Sequence, residues 1–297
     1  MTGYLIGAAV IVVLLVFWEI WREIHRFIIT EYEIESPKFE VNMEEKRIVF
    51  LSDLHNREYG EKNEELVGAI RAAKPDLILV TGDMLVGKPG HSFEKAAGFM
   101  RQLPGIAPVY YSNGNHEQRM REEKETYGDA YWQYKKELEE AGVIWLENEG
   151  CSVECKGGKV QIYGLEIPIE SYYRMKRYRP TVEDILERLG QPDMGEYNIL
   201  LAHHPEFADA YKKWGADLIL SGHLHGGVAR LPVLGGIISP QAGLFPKYSG
   251  DCYREGDCSI VVSKGLGTHT LNIRFWNPAE MIILHVRGKE NNTENSL

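Results

Sequence analysis

The sequence predicts an α/β fold in which two β-sheets pack face to face as a sandwich flanked by helices, with one apolar helix ahead of the domain. Three observations predict it. Residues 3 to 21, GYLIGAAVIVVLLVFWEIW, carry a single charge. From Arg47 to Ala141 short apolar runs alternate with helical patterns, the rhythm of βαβ units. From Val143 to Val286 short turn-separated strands dominate, and a second sheet laid on the first would bury them.

The N-terminal run just reaches the ~20 residues a helix needs to span a bilayer. Tyr4 at one end and Trp18 and Trp21 at the other fit the aromatic belts of the two interfaces. No basic residue precedes the run and bulky ones follow it, which reads as an uncleaved anchor rather than a signal peptide. A buried core helix is the alternative. Arg22 and Arg26 follow the span, so the positive-inside rule places the domain on the cytoplasmic side of the cell membrane in a single-pass arrangement. The expected organisation is an anchor over 1–29, an edge strand or short connection over 30–45, a domain over 46–287 and a disordered polar tail over 288–297.

Within the domain, strands are expected at Arg47–Ser52, Leu77–Thr81 and Val109–Ser112, and helices at Glu61–Ala73, Phe93–Leu103 and Tyr127–Ala141. Further strands are expected at Val143–Leu146, Cys151–Cys155, Val160–Gly164, Asn198–Ala202, Leu218–Ser221, Ile260–Ser263 and Met281–Val286. Trp132, Trp145 and Trp214 are expected in the core. There is no internal repeat.

Composition narrows the function. With 33 Lys plus Arg against 43 Asp plus Glu, the net charge of −10 argues against sequence-independent nucleic-acid binding, and no nucleic-acid partner is expected. Four cysteines do not make a disulfide framework for 297 residues. Cys252 and Cys258 either face each other across a hairpin or are two reduced thiols.

The chemistry sits at strand ends. Asp53 and His55 follow the first strand, Asp83 the second, Asn113-Gly114-Asn115-His116-Glu117 the third, His203-His204 a fourth, and Gly222-His223-Leu224-His225 a fifth. In α/β sheets the carboxyl ends of the strands converge on one crevice, so these residues would meet there. Asp53, His55, Asp83, Asn115, His203, His223 and His225 offer imidazole nitrogens, carboxylates and an amide oxygen, a set suited to Mn, Fe, Zn or Ni. Seven donors exceed what one ion takes. With Asp83 bridging, they divide into two sites of about four donors each. Strand alternation is expected to aim both members of Asp53/His55 and of His223/His225 the same way. Gly82, Gly114 and Gly222 read as residues chosen for their permitted φ in sharp turns.

This order of blocks resembles the calcineurin-like metallophosphoesterases over nearly all of residues 46 to 287. GHLHGGVARLP, VSKGLG and RFWNPAEMIIL further resemble a bacterial branch whose members often carry an N-terminal membrane segment or export signal. The resemblance implies the α/β/β/α sandwich of that family. It implies two divalent ions, one held by Asp53, His55, Asp83 and His225, the other by Asp83, Asn115, His203 and His223. It implies His116 beside the leaving group, with Glu117, in place of the commoner Asp, orienting His116. Met84, Leu85 and Val86 stand where the family often has a further acid. The implied function is that of a membrane-anchored phosphohydrolase acting on a phosphate ester, a phosphodiester or pyrophosphate that includes lipid-linked forms, by hydroxide shared between the two ions. A phosphomonoesterase and a non-catalytic metal-binding module of the same fold are the alternatives. His204 is a candidate on the substrate side, unless it supports the ligands or is merely satisfied by neighbours. In SYYRMKRYRP, residues 171 to 180, Arg174, Lys176, Arg177 or Arg179 either form a solvated face or meet phosphates of substrate or lipid headgroups.

Overall fold

The computed structural model describes residues 2–39, 45–155, 158–173, 178–227, 229–231, 235–237, 243–268 and 272–288. The elements in chain order are α1 (Thr2–His25), β1 (Phe27–Ser36), β2 (Lys46–Leu51), α2 (Glu64–Ala73), β3 (Leu77–Val80), α3 (Glu94–Met100), β4 (Val109–Ser112), α4 (Asn115–Glu122), α5 (Lys124–Tyr127), α6 (Ala130–Glu140) and β5 (Val143–Leu146). They continue with β6 (Glu149–Cys155), β7 (Gly158–Leu165), α7 (Val182–Leu189), β8 (Tyr197–Ala202), α8 (Ala208–Trp214), β9 (Leu218–Ser221), β10 (Arg230–Leu231), β11 (Gly235–Gly236), β12 (Asp251–Glu255), β13 (Cys258–Val262) and β14 (Ala279–Gly288).

Two six-stranded sheets form, in the orders β1-β14-β2-β3-β4-β5 and β12-β13-β9-β8-β7-β6, beside a small β10-β11 ladder. β2 to β5 run parallel, as do β7, β8, β9 and β13, so their carboxyl ends point the same way within each sheet. The central strands read as continuous apolar runs because both faces are covered. In β2, Ile48 and Phe50 enter the core between the sheets, while Val49 and Leu51 enter the core beneath the helices. The same division separates Leu218 and Leu220 from Ile219, and Ile282 and Leu284 from Met281 and Ile283. Leu66 and Ile70 of α2, Phe99 of α3 and Tyr134 of α6 cover the first sheet; Ile185 of α7 and Tyr211 of α8 cover the second. The result is the expected α/β/β/α stack. Each fully buried side chain of this kind contributes about 1.5–3 kcal/mol of transfer free energy.

Several expectations need correction. Of the two readings for 30–45, the edge strand holds over 30–36, but it begins earlier: residues 27–29, expected in the anchor, already belong to β1, paired in parallel with β14 from Phe27 opposite Ala279 onward. Only Arg26 separates α1 from β1, so the apolar helix is joined directly to the sheet. The expected helix at 93–103 is shorter because Pro104 lacks an amide hydrogen, and the segment ends in a 3₁₀ turn. The one expected at 127–141 is divided at Gly128, whose φ is +59°. Helices α7 and α8 were not anticipated, although Thr181 and Asp184 form a capping box at the start of α7. Trp145 and Trp214 are buried, but Trp132 is 47% exposed on the outer side of α6. Cys252 and Cys258 do sit on a hairpin, but in its register Cys252 faces Val261 and Cys258 faces Glu255, so the two are not opposite and both are free thiols. Of the tail expected over 288–297, Gly288 ends strand β14, and 289–297 lie outside the described residues.

Helix α1 is long and apolar enough to cross a membrane, a property that signal sequences share. Tyr4, Leu14, Phe17, Trp18 and Trp21 are all exposed. Its last turn is different: Glu23 and Ile24 are buried against the domain.

Candidate metal centre

Five strand ends place the donors. β2 runs into Asp53 and His55, β3 into Asp83, β4 into Asn115 at the start of α4, β8 into His203, and β9 into His223 and His225. All seven residues are buried. The two pairs converge by a route other than strand alternation. Asp53, His55, Asp83, His223 and His225 have φ of +54°, +47°, +52°, +67° and +49°, so each lies in a left-handed turn beyond its strand. Such conformations cost about 1–3 kcal/mol each for non-glycine residues, and five of them in one pocket mark a site that the surrounding fold forces into shape.

Of the three turn glycines, only Gly82 needs its φ, which is +81°. Gly114 has φ −90°, and Gly222 is required by space: a Cβ there would lie 2.0 Å from Ser52 Oγ and 2.1 Å from Asp53 Oδ2. Close approach of the β2 and β9 loops, and not backbone freedom, demands glycine at 222.

The donor atoms face one another. His55 Nε2 lies 3.1 Å from His225 Nε2, and His225 Nε2 is 3.2 Å from Asp53 Oδ1. His203 Nε2 is 3.1 Å from Asp83 Oδ2 and 3.9 Å from Asp53 Oδ1, while His55 Nε2 is 3.8 Å from the same Asp83 oxygen. Asp53/His55/His225 and Asp83/His203/His223 each bring three ligand atoms within 4.8 Å of one another. Among the described residues, Asn115 Oδ1 is buried without a hydrogen-bond partner, and Asp83 Oδ2 and His203 Nε2 are buried with only each other within hydrogen-bonding distance. Buried polar atoms are normally satisfied, and two acceptor-rich groups of carboxylate and imidazole with so few partners of their own fit divalent cations.

Hydrogen bonds behind the ligands set their tautomers. His203 Nδ1 donates to the Thr81 carbonyl at 2.7 Å and leaves Nε2 with a free lone pair. His116 is the opposite case. Its Nδ1 accepts from the Gly87 amide at 2.8 Å, so the neutral ring carries its proton on Nε2, which faces Asp83 Oδ2 at 4.0 Å. The trio His55, Asp83 and His116 also satisfies ligand spacing, but this tautomer makes His116 a donor into the pocket.

Glu117 does not orient His116 as expected. Its two oxygens accept from the amides of Asp83 (2.8 Å), Met84 (3.0 Å) and Gly114 (3.0 Å) and from the Tyr111 hydroxyl (2.7 Å). Glu117 therefore holds the β3 loop onto the β4 loop, and the Gly87 amide holds His116. Met84 and Leu85, which stand in place of a further acid, are fully buried and pin the same loop by packing. His203, not His204, reaches the carboxylates. His204 packs on the His223 ring at 4.6 Å, and its Nδ1 accepts from the Glu206 amide. Arg174 and Arg177 lie outside the described residues.

Sequence reasoning missed several residues that shape the site. Asn113 Nδ2 donates to Glu166 and fixes the β4 loop. Tyr172 lays its ring 4.9 Å from that of His223 and 6.1 Å from that of His203. Arg274, fully buried, donates to the carbonyls of Lys264, Gly265 and Gly267, and the Gly267 carbonyl also meets His225 Nδ1 at 3.3 Å. Asn277 Nδ2 donates to the His225 carbonyl at 2.7 Å. Only the VSKGLG and RFWNPAEMIIL segments hinted at the last two.

Burial is the largest influence on the charged groups. It pushes the Asp53 carboxyl up to about 6, with His203 pulling the other way. For Asp83 burial also acts upward, but His203, His116 and His55 overcome it and hold the carboxyl well below its usual range. His203 resists charge through burial, yet the Asp83 and Asp53 carboxylates raise it to about 9. Without a cation, a proton on His203 offsets the buried carboxylates at neutral pH.

The arrangement is that of a metal-dependent hydrolase of the α/β/β/α class. The chain belongs to the calcineurin-like phosphoesterase family, whose model matches residues 46–227, and is a metal-dependent phosphoesterase. It is 28% identical over 272 residues to the uncharacterized metallophosphoesterase YkuE of Bacillus subtilis (strain 168), spanning 90% of this chain and 88% of that one. It is 29% identical over 237 residues to the uncharacterized metallophosphoesterase YkoQ of the same organism, spanning 79% and 81%. To phosphodiesterase YaeI of Escherichia coli (strain K12) it is 25% identical over 233 residues, spanning 77% and 78%.

Metal binding must displace the His203 proton, so apparent affinity should rise about tenfold per pH unit until His203 loses its proton unaided near about 9. Below about 6, where Asp53 also takes up a proton, affinity should fall more steeply. Calorimetric titration in buffers of different ionisation enthalpy measures both the affinity and the protons released. An affinity independent of pH, with no proton release, would contradict the assignment.

Proposed function

We propose that the chain is a membrane-anchored phosphohydrolase that uses two divalent ions to cleave a phosphodiester or pyrophosphate, lipid-linked substrates among them. The observation that carries the reading is the pair of buried three-ligand groups Asp53/His55/His225 and Asp83/His203/His223, with Asn115 Oδ1 buried and unpartnered among the described residues. Asp53, His55, Asp83 and His225 would hold one ion, and Asp83, Asn115, His203 and His223 the other. The mixed nitrogen and oxygen donors suit Mn, Fe, Zn or Ni. What the ions supply is Lewis acidity: an ionised water near neutral pH and attraction for the phosphoryl oxygens.

The chain's own groups do the rest. His116 holds a proton on Nε2 at the edge of the pocket, where it can pass to the departing oxygen. Glu117 and the Gly87 amide keep the two loops and that tautomer in place. No side chain needs to act as nucleophile. The name of the relative YaeI, a phosphodiesterase, supports diester chemistry. The exposed apolar surface of α1 supports an anchor, because water is a poor solvent for it and lipid a good one. Arg22 and Arg26 at its end support a cytoplasmic domain.

Two experiments test this reading. With the metal-stripped full chain and Mn, Zn, Fe, Ni or Mg added back, a bis-aryl phosphodiester should be cleaved faster than the mono-aryl ester. Asn115→Ala should lose about 10–100-fold through weakened metal binding, and His116→Ala about 10²–10⁴-fold at undiminished metal content. Preference for the monoester, or metal-independent turnover, would overturn it. For orientation, a green-fluorescent fusion at the C-terminus should fluoresce in cells; an active alkaline-phosphatase fusion there would reverse the assignment.

A further inference from the structure

The last turn of α1 is built into the domain. Glu23 Oε2 accepts from the Asn277 amide at 2.9 Å, and the Ile24 carbonyl accepts from Arg57 at 2.6 Å. Glu23 lies two residues beyond Trp21, a rise of only ~3 Å along the helix. The domain face that holds Glu23 therefore sits within a side chain's length of the level that Trp18 and Trp21 mark.

The segments linked to that contact expose apolar side chains. Trp276, next to Asn277, is 53% exposed, and Ile273, three residues earlier, is exposed as well. The backbone leads from there across neighbouring segments: Phe275 bridges Ala229, the Ala229 carbonyl accepts from the Ile237 amide, and the Ile237 carbonyl accepts from the Phe245 amide. Phe245 is 52% exposed and Leu244 68%, with Leu231 also exposed on β10. Scattered exposed apolar residues are ordinary, but large ones carried on segments bonded to one another mark an interaction surface. Its continuity with the end of α1 says what covers it.

We propose that Leu231, Leu244, Phe245, Ile273 and Trp276 form a collar that rests in the bilayer surface around the end of α1. The collar makes a second membrane contact and fixes the tilt of the domain. Asn277 joins both parts: its amide bonds Glu23 and its Nδ2 bonds the carbonyl of His225. The metal pocket is thus held beside the headgroup layer, which selects phosphate esters presented at a lipid surface. The inference rests on the reading of α1 as a membrane span.

The test uses the full chain in vesicles of phosphatidylethanolamine and phosphatidylglycerol, with benzoylphenylalanine placed singly at Leu244, Phe245 or Trp276. Position 18 in α1 is the positive control. Position 132 is the negative control, because Trp132 lies on α6 over β5, at the sheet edge opposite β1 and ~24 Å away at ~4.8 Å per strand. Cleavage of the soluble bis-aryl diester by each labelled chain confirms its fold and reports on the hydrolase separately. After irradiation, lipid adducts are expected at 18, 244, 245 and 276 and none at 132. Adducts at 18 with none at 244, 245 or 276 would overturn the collar and leave the anchor standing. Cross-links between protein chains at 245 or 276 would overturn it in favour of a protein-covered face. No adduct at 18 would remove the anchor, and the collar with it, whatever the diester assay shows.

Discussion

Two carboxylates, Asp53 and Asp83, are buried together where water cannot solvate them, and most of the site's construction follows from that. A buried charge without compensation is among the costliest features a fold can hold, so cationic or polar partners must surround the pair. Some compensation is local: the Ser52 hydroxyl and the His223 amide donate to Asp53, and the His116 amide donates to Asp83. The remainder has to come from a proton on His203 or from metal ions. The same deficit that would destabilise an empty pocket makes it a strong cation site.

Holding the pair together requires five loops to approach more closely than ordinary side chains allow. Left-handed turns at Asp53, His55, Asp83, His223 and His225 supply the approach, and glycine at 82, 114 and 222 leaves room for it. Regular sheet cannot do this, since extended backbone would carry the donors past one another. The strain is met by packing on both faces of the central strands and by polar clamps that are themselves fully buried. Glu117 ties the β3 loop to the β4 loop, and Arg274 gathers three carbonyls beside His225. Loss of Glu117 would release the loop that carries Asp83, and loss of Arg274 would release the Gly267 carbonyl that meets His225 Nδ1.

Much of this was legible because the informative residues follow recognisable strands. Apolar runs such as Arg47–Ser52 and Leu218–Ser221 announce strands covered on both faces, and a polar donor after each announces a shared crevice. What was not legible depends on distance in space. The Glu117 carboxylate is four-fold occupied by groups from two loops and strand β4, a fact invisible in the order Asn-His-Glu. Gly222 reads as a turn residue until Ser52 and Asp53 are seen against it. β1 was ambiguous because its pairing partner β14 lies some 250 residues away. The short helix α8 has too few turns to show a period, and Trp132 looks like any other tryptophan until the side of α6 that faces solvent is known.

Asn277 links the last turn of the apolar helix to the loop that carries His225, so the helix and the metal pocket are parts of one architecture. The proposed catalysis depends on the claim that the pocket takes two ions and that Asp83 serves both. The most direct measurement is the metal content of the full chain after loading and desalting, by plasma mass spectrometry, for the wild type, His225→Ala and Asp83→Ala. The account predicts two ions per chain, close to one in His225→Ala, and fewer than one in Asp83→Ala, since that residue is shared. One ion in the wild type, or two retained by Asp83→Ala, would contradict it.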